Sequence, residues 1–488
     1  MTELAVAAYA PPHDLSAADY NLASRFSIGD NASLVKDIRK AGGSHEWFAK
    51  QLKPSKVSDA RGKAIASWFP RLHDSAPTVW DNIKKERYSA WEYGSDFVSF
   101  TLSRKIVTRR QVHEVMSDFW SNLLYIPAYE DRSTPWRYSY DTMIRKYALT
   151  SFTALLQHAI VHPAMSGWLT NSNNVKTGIN ENLGRELLEL FTVGRPAGYT
   201  EKDVKNSARI LTGFKVEVFD GFRASYSPSD HYTGRISVLG FTHANSSPDG
   251  RRAVQAYLKY LAHHPSTAQR IAKRLCVRFV SDHPSKAIVK AVKKAYLRSG
   301  TDIKATLKAL IKHRDFKRAA RKKIRTPVED LINSSRVLGI RPTRPTSDKA
   351  FARQMTWMCA SMGQHQFRWP RPDGFPEVST TWASPARILR SWNIHYTLGA
   401  GWWDTKNVVE AKRTTFLPKK WPRTLAQITD HQARMLLGTK ASVDVRKAVA
   451  SMLDEPPSRV YTSAKDVEEW KYGLIRGTIM NAPKAMLR

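Results

Sequence analysis

Cysteine is nearly missing from this chain of 488 residues: only Cys276 and Cys359 occur, too few for a disulfide framework or a thiolate metal cluster. One bridge between them stays open, although Cys276 sits between Leu275 and Val277 in a helical stretch and suits a buried thiol. Acidic residues are also scarce, 43 against 77 Lys and Arg, and the formal net charge is +34. Such an excess departs from the balance of an ordinary cytosolic enzyme and points to a polyanionic partner. No apolar run approaches the roughly 20 residues needed to span a bilayer. The N-terminus, MTELAVAAYAPP, has Glu3 and no Lys or Arg before Arg25. With Pro11 placed to obstruct cleavage after Ala10, it makes a poor secretory signal, and a cytoplasmic location is expected. Gly-x-Ser-x-Gly elbows, Walker loops, dinucleotide fingerprints and Cys-x-x-Cys pairs are all lacking, which removes the commonest hydrolase, nucleotide-binding and zinc-finger readings. No low-complexity tract or internal repeat is found, and a 42% hydrophobic content is ample for a large core.

Helical periodicity dominates what remains. NENLGRELLELFTVG (180 to 194) opens on Asn180, a good N-cap, and closes on Gly194, a good C-cap, so its spacing predicts one helix of about three turns. Glu181, Arg185 and Glu189 recur every four residues, stacking acid, base and acid on one face, with Leu183, Leu187, Leu190 and Phe191 opposite. A second helix is expected from Thr200, where Thr-Glu-Lys-Asp places a hydroxyl at the cap and carboxylates near the positive end of the dipole. Alternation over 215 to 226 around Asp220-Gly221 predicts a small hairpin with a two-residue type I′ turn, leading to His231.

Further motifs accompany these in order: LeuAlaSerArgPheSerIleGly (22 to 29), AspPheTrpSerAsn (118 to 122), HisProAlaMet (162 to 165), HisTyrThrGlyArgIleSerValLeuGly (231 to 240), HisProSerThrAla (264 to 268), ArgLeuCysValArgPheVal (274 to 280), MetGlyGln (362 to 364) and ArgProAspGlyPhePro (371 to 376). Together the chain resembles the bacterial domain-of-unknown-function family numbered eighteen-hundred over roughly residues 20 to 400. That resemblance implies a largely helical domain, often exported in other members and often encoded beside a sulfatase-like family, and it brings no activity with it. The chain departs from the family pattern at Tyr232 after His231, at Ile236 where a lysine is usual, and at Leu123 where a histidine is usual.

Charge is unevenly spread. From Arg270 to Arg325 there are 19 Lys or Arg against three acids, a net +16 in 56 residues. Lys286, Lys290, Lys293, Lys294 and Arg298 share one helical face, Lys304, Lys308 and Lys312 repeat the spacing, and KRAARKKIR (317 to 325) follows with Arg321, Lys322 and Lys323. The ordinary reading is a solvated helical face, and the functional one is a surface for nucleic acid or another polyanion.

Two other constellations compete. Glu181, Glu186 and Glu189, with Arg185 as an anion clamp and His231 as a marked histidine, form a set for hydrolysis, metal-dependent or not. Spacing alone names no metal and no cofactor: His45-Glu46 and His113-Glu114 start like a zincin motif but lack the second histidine. Aromatics and bases interleave at 367 to 372, Trp382, Trp392, Trp402-Trp403 and 419 to 423, which suits stacking on bases or pinning of a proline-rich loop.

The expected architecture is all-α: an extension over 1–20, a multi-helical domain over 21–400 with one hairpin, and a basic extension over 401–488 with helices near 424–439 and 464–479. The expected role is binding of a polyanion or partner protein, with the hydrolase, or an accessory subunit of a sulfatase-like enzyme, as alternatives.

Overall fold

The computed structural model describes residues 15–402 and 406–488. Most of the N-terminal extension, and Trp403 of the Trp pair, thus lie outside the described residues. Among these, 23 α-helices account for most of the chain, and all sheets are two-stranded. Local chemistry sets many helix starts. Ser89 with Glu92, Thr200 with Asp203 and Thr326 with Glu329 form reciprocal capping boxes, and Ser285 and Asp302 accept from the backbone N–H three residues on.

The helices surround one hydrophobic cluster that runs from Leu22 to Ala485. At its centre lies Pro327–Val337, every residue of which is buried. Helices Ala90–Val107, Phe351–Ser361 and Pro385–Ala400 pack around it. The boundary expected near residue 400 coincides with no break in packing. Pro385–Ala400 lies directly against Glu469–Met480, and the terminal Arg488 pairs its backbone with Lys323. Helices Leu425–Leu437 and Glu469–Met480 match the two expected in this region, with Val443–Leu453 between them.

The single expected hairpin becomes several. Phe214–Val216 pairs antiparallel with Ala224–Tyr226, but seven residues connect the strands instead of a two-residue turn. Phe222 explains the difference: it is fully buried against Ala76 and Val216, and that burial draws the chain out of the ladder. A second hairpin, Ile236–Val238 with Phe241–His243, and two-residue ladders at 341–342/408–409 and 423–424/460–461 complete the strands.

Candidate functional site

The acid-base helix departs from its expected geometry. Asn182–Glu186 is α-helical, but Leu187–Phe191 forms a π-turn, with the Thr192 hydroxyl donating to the Leu187 carbonyl at 2.5 Å. One π-turn shifts the register of everything beyond it. Arg185, before the turn, pairs with Glu181 at 3.1 Å and with Glu201 of the next helix at 2.6 Å, whereas Glu189, within it, turns to Arg195 at 2.8 Å and Tyr199 at 3.2 Å. The ladder therefore stops at Arg185. Glu186 is half-buried, and burial first, with the Glu189 charge second, pushes its carboxyl up from the ordinary value.

His231 belongs to different surroundings. Its ring is 1% exposed, with Nδ1 3.0 Å from the Thr212 carbonyl and Nε2 3.1 Å from Asn245 Oδ1, whose amide nitrogen donates to the Tyr232 carbonyl. Both ring nitrogens thus have neutral partners, and none of the four side chains proposed with it touches the imidazole. Among the described residues no group of three His, Cys, Asp or Glu could hold a metal ion. Cys276 and Cys359 are buried free thiols, so the bridge left open by the sequence is not formed.

The family-like motifs do converge, at a place their individual chemistry did not reveal. Asp118 and Asn122 come from AspPheTrpSerAsn, Arg278 from ArgLeuCysValArgPheVal, Gln364 from MetGlyGln and Phe375 from ArgProAspGlyPhePro, and all line one cavity of about 30 Å³ with Glu377. Arg278 donates to Glu329 at 2.7 Å and Glu377 at 3.0 Å, Arg488 reaches Glu329 at 3.2 Å, and Lys105 holds Asp118 at 2.5 Å. Asn122 clamps the 371–377 loop, accepting from the Phe375 N–H at 2.7 Å and donating to its carbonyl at 2.9 Å. Trp369 and Trp382 fix the same loop through indole N–H bonds to Asp373 and the Pro376 carbonyl. Burial alone would raise the Glu329 carboxyl, but Arg278 and Arg488 overturn that and hold it at about 2. A cavity of this volume accommodates about one water, not a substrate. The arrangement is a buried charge knot whose cations and carboxylates neutralise one another, which suits conformational specificity better than turnover.

The basic segment behaves differently. Helices Lys286–Arg298 and Ile303–Lys312 bury Ile288, Val292, Tyr296, Leu307 and Leu310 and turn their charge outward. Lys286, Lys290, Lys294, Arg298, Lys308 and Lys322 are exposed, and Lys293 and Lys304 half-buried. Two expected members of the face are spent internally. Lys323 is 1% exposed and ion-paired with Asp282, and Arg321 donates to the Leu437 carbonyl at 2.9 Å while lying over the Tyr20 ring at 4.0 Å. The three acids of the window are likewise occupied: Asp282 with Lys323 and the Ser379 N–H, Asp302 as a helix cap, Asp315 with Ser285. None of the exposed lysines forms an ion pair among the described residues. No described helix is long and apolar enough to cross a membrane.

No curated protein and no solved structure matches the chain. A family model described as a protein of unknown function, DUF1800, matches residues 21–487, nearly the whole chain, and the protein belongs to that family.

Proposed function

We propose that the protein binds a polyanion through the outer face of the Lys286–Arg298 and Ile303–Lys312 helices. The reading is supported by one observation above all: the exposed cations there have no acidic partner, because Asp282, Asp302 and Asp315 are engaged elsewhere. Lysines four apart on a helix repeat at roughly 6 Å, so the row presents regularly spaced point charges to an extended chain of phosphates. The hydrolase alternative draws support only from the raised Glu186 carboxyl, since His231 is committed to Thr212 and Asn245.

Fluorescence anisotropy with a labelled single-stranded oligonucleotide, competed by inorganic polyphosphate, tests the proposal. Log affinity is expected to fall linearly with log salt, and each reversal among Lys290→Glu, Lys294→Glu and Lys308→Glu to weaken binding and reduce the slope by about one. A flat salt response, or reversals without effect, discards the reading.

A further inference from the structure

A groove of about 780 Å³ opens where five distant segments meet: one side of the Ala32–Ala41 helix, residues 58–61, the end of the Ala90–Val107 helix with the residues after it, residues 336–341, and Ala411, Thr415 and Phe416 with Met435. Its volume lies in the range of pockets that enclose small molecules, roughly 300–1,000 Å³. None of its residues belongs to the basic face. Its apolar lining includes Leu34, Ile106, Val337, Phe416 and Met435, which are buried, and Val107 and Ala411, which are half-buried.

Its charge is one-sided. Two acids line it, and both are satisfied: Asp37 takes both arms of Arg109 at 3.2 and 2.5 Å, and Asp59 accepts from the Thr108 hydroxyl at 2.7 Å and the Arg109 N–H at 2.9 Å. Lys36, Lys40, Arg61, Arg336 and Arg341 also line it, and none has an ion-pair partner among the described residues. Arg336 is the telling member. Only 6% exposed, it donates Nη1 to the Ile106 carbonyl at 2.7 Å and Nε to the Gly29 carbonyl at 3.4 Å, which leaves Nη2 without a partner among the described residues. Burial, and then the charge of Arg61, push the Arg341 guanidinium down, so the two arginines sit near enough to repel. The first turn of the Ala32–Ala41 helix adds the N–H groups of Ala32 and Ser33, which have no intrahelical acceptor, and the positive end of the helix dipole.

We infer that this groove binds a phosphate monoester of an apolar alcohol, its head group held by Arg61, Arg336 and Arg341 and its chain laid along Val107, Ala411 and Met435. A phosphate suits the site because planar guanidinium forks and free helix N–H groups together match its several acceptor oxygens. An alkyl chain suits the rest of the lining because Val107 and Ala411 keep half-buried apolar surface there, which inorganic phosphate would leave wet.

Isothermal titration calorimetry of the full chain with octyl phosphate, below its micelle concentration, is the test. The expected result is one saturable site, with inorganic phosphate weaker by at least about tenfold and octyltrimethylammonium giving no binding heat. Arg61→Glu with Arg341→Glu, both outside the buried core, is expected to lower affinity at least about tenfold, whereas Lys290→Glu on the basic face leaves it unchanged. Phosphatidylcholine vesicles containing phosphatidate separate the two sources of this chemistry. Co-sedimentation abolished by the double reversal assigns the groove to a bilayer head group, and octyl phosphate binding without co-sedimentation assigns it to a free monoester. No saturable octyl phosphate binding, equal affinity for inorganic phosphate, or indifference to the double reversal overturns the inference.

Discussion

Glu329 ties two buried guanidinium groups to the central helix. Arg278 and Arg488 both point at its carboxylate, and its other oxygen accepts the Thr326 N–H at 3.1 Å, so one side chain caps the central helix and neutralises two buried guanidinium groups. Glu329→Gln keeps the shape and removes the charge. Breaking a buried pair from one side leaves an uncompensated charge, so the substitution is expected to cost about 3–5 kcal/mol in chemical denaturation, against less than about 1 kcal/mol for Glu181→Gln in its half-exposed pair. Equal losses at the two positions would show that burial is not what makes the knot matter. Glu329 was not singled out from the sequence. Arg278 and Asn122 lay in quoted motifs but carried no chemical signature there, since ion pairing across 50 or more residues leaves no trace in local spacing.

Among elements, the Asn182–Glu186 helix shows how a motif can be read correctly in part. Its apolar side was largely legible, whereas the cap falls on Glu181 instead of Asn180, the helical segment ends at Thr192 before Gly194, and the π-turn that separates Glu189 from Arg185 left no sign in the sequence. Intrahelical periodicity assumes an unbroken register, and a π-turn violates that assumption without changing composition. The same motif contains Gly184, where an added Cβ would meet the Ala208 backbone nitrogen at 2.6 Å and its Cα at 2.9 Å, so this helix and Glu201–Ile210 touch backbone to backbone. Gly184→Ala must push the two helices apart. A loss of about 1–3 kcal/mol is expected, seen as a lower guanidinium midpoint, with oligonucleotide affinity unchanged because the basic face is built from other helices. An unaltered midpoint would mean that the close approach is not rigid.

For the whole molecule, acid is the condition that should dismantle the fold. Glu114, Glu329 and Asp330 are each held at about 2 against ordinary values of 4.5, 4.5 and 3.8. In each case burial pushes the carboxyl up and is outweighed by neighbouring partners, Arg145 and Arg104 for Glu114, and the His395 ring and Arg387 for Asp330. A carboxyl lowered in the folded state contributes stability that is complete above its unfolded value and lost as pH falls through the folded one. The urea midpoint is thus expected to drop steadily between about pH 4.5 and pH 2, with proton uptake on unfolding. A midpoint that stays level across that interval would contradict the ion-pair account.

Helix content, the Thr200 capping box, the amphipathic basic helices and family membership follow from the amino-acid order alone, because periodicity, capping and turn chemistry act over a few residues. Tertiary structure decided which charges remain free. Lys323 and Lys322 are neighbours in a uniformly basic run, yet one is sealed against Asp282 and the other faces solvent. Only the fold brings Arg61, Arg336 and Arg341 to one groove, or Asp118, Arg278, Glu329 and Glu377 to one knot. Pairing energies depend on distances through space, and those are set by packing of the whole chain.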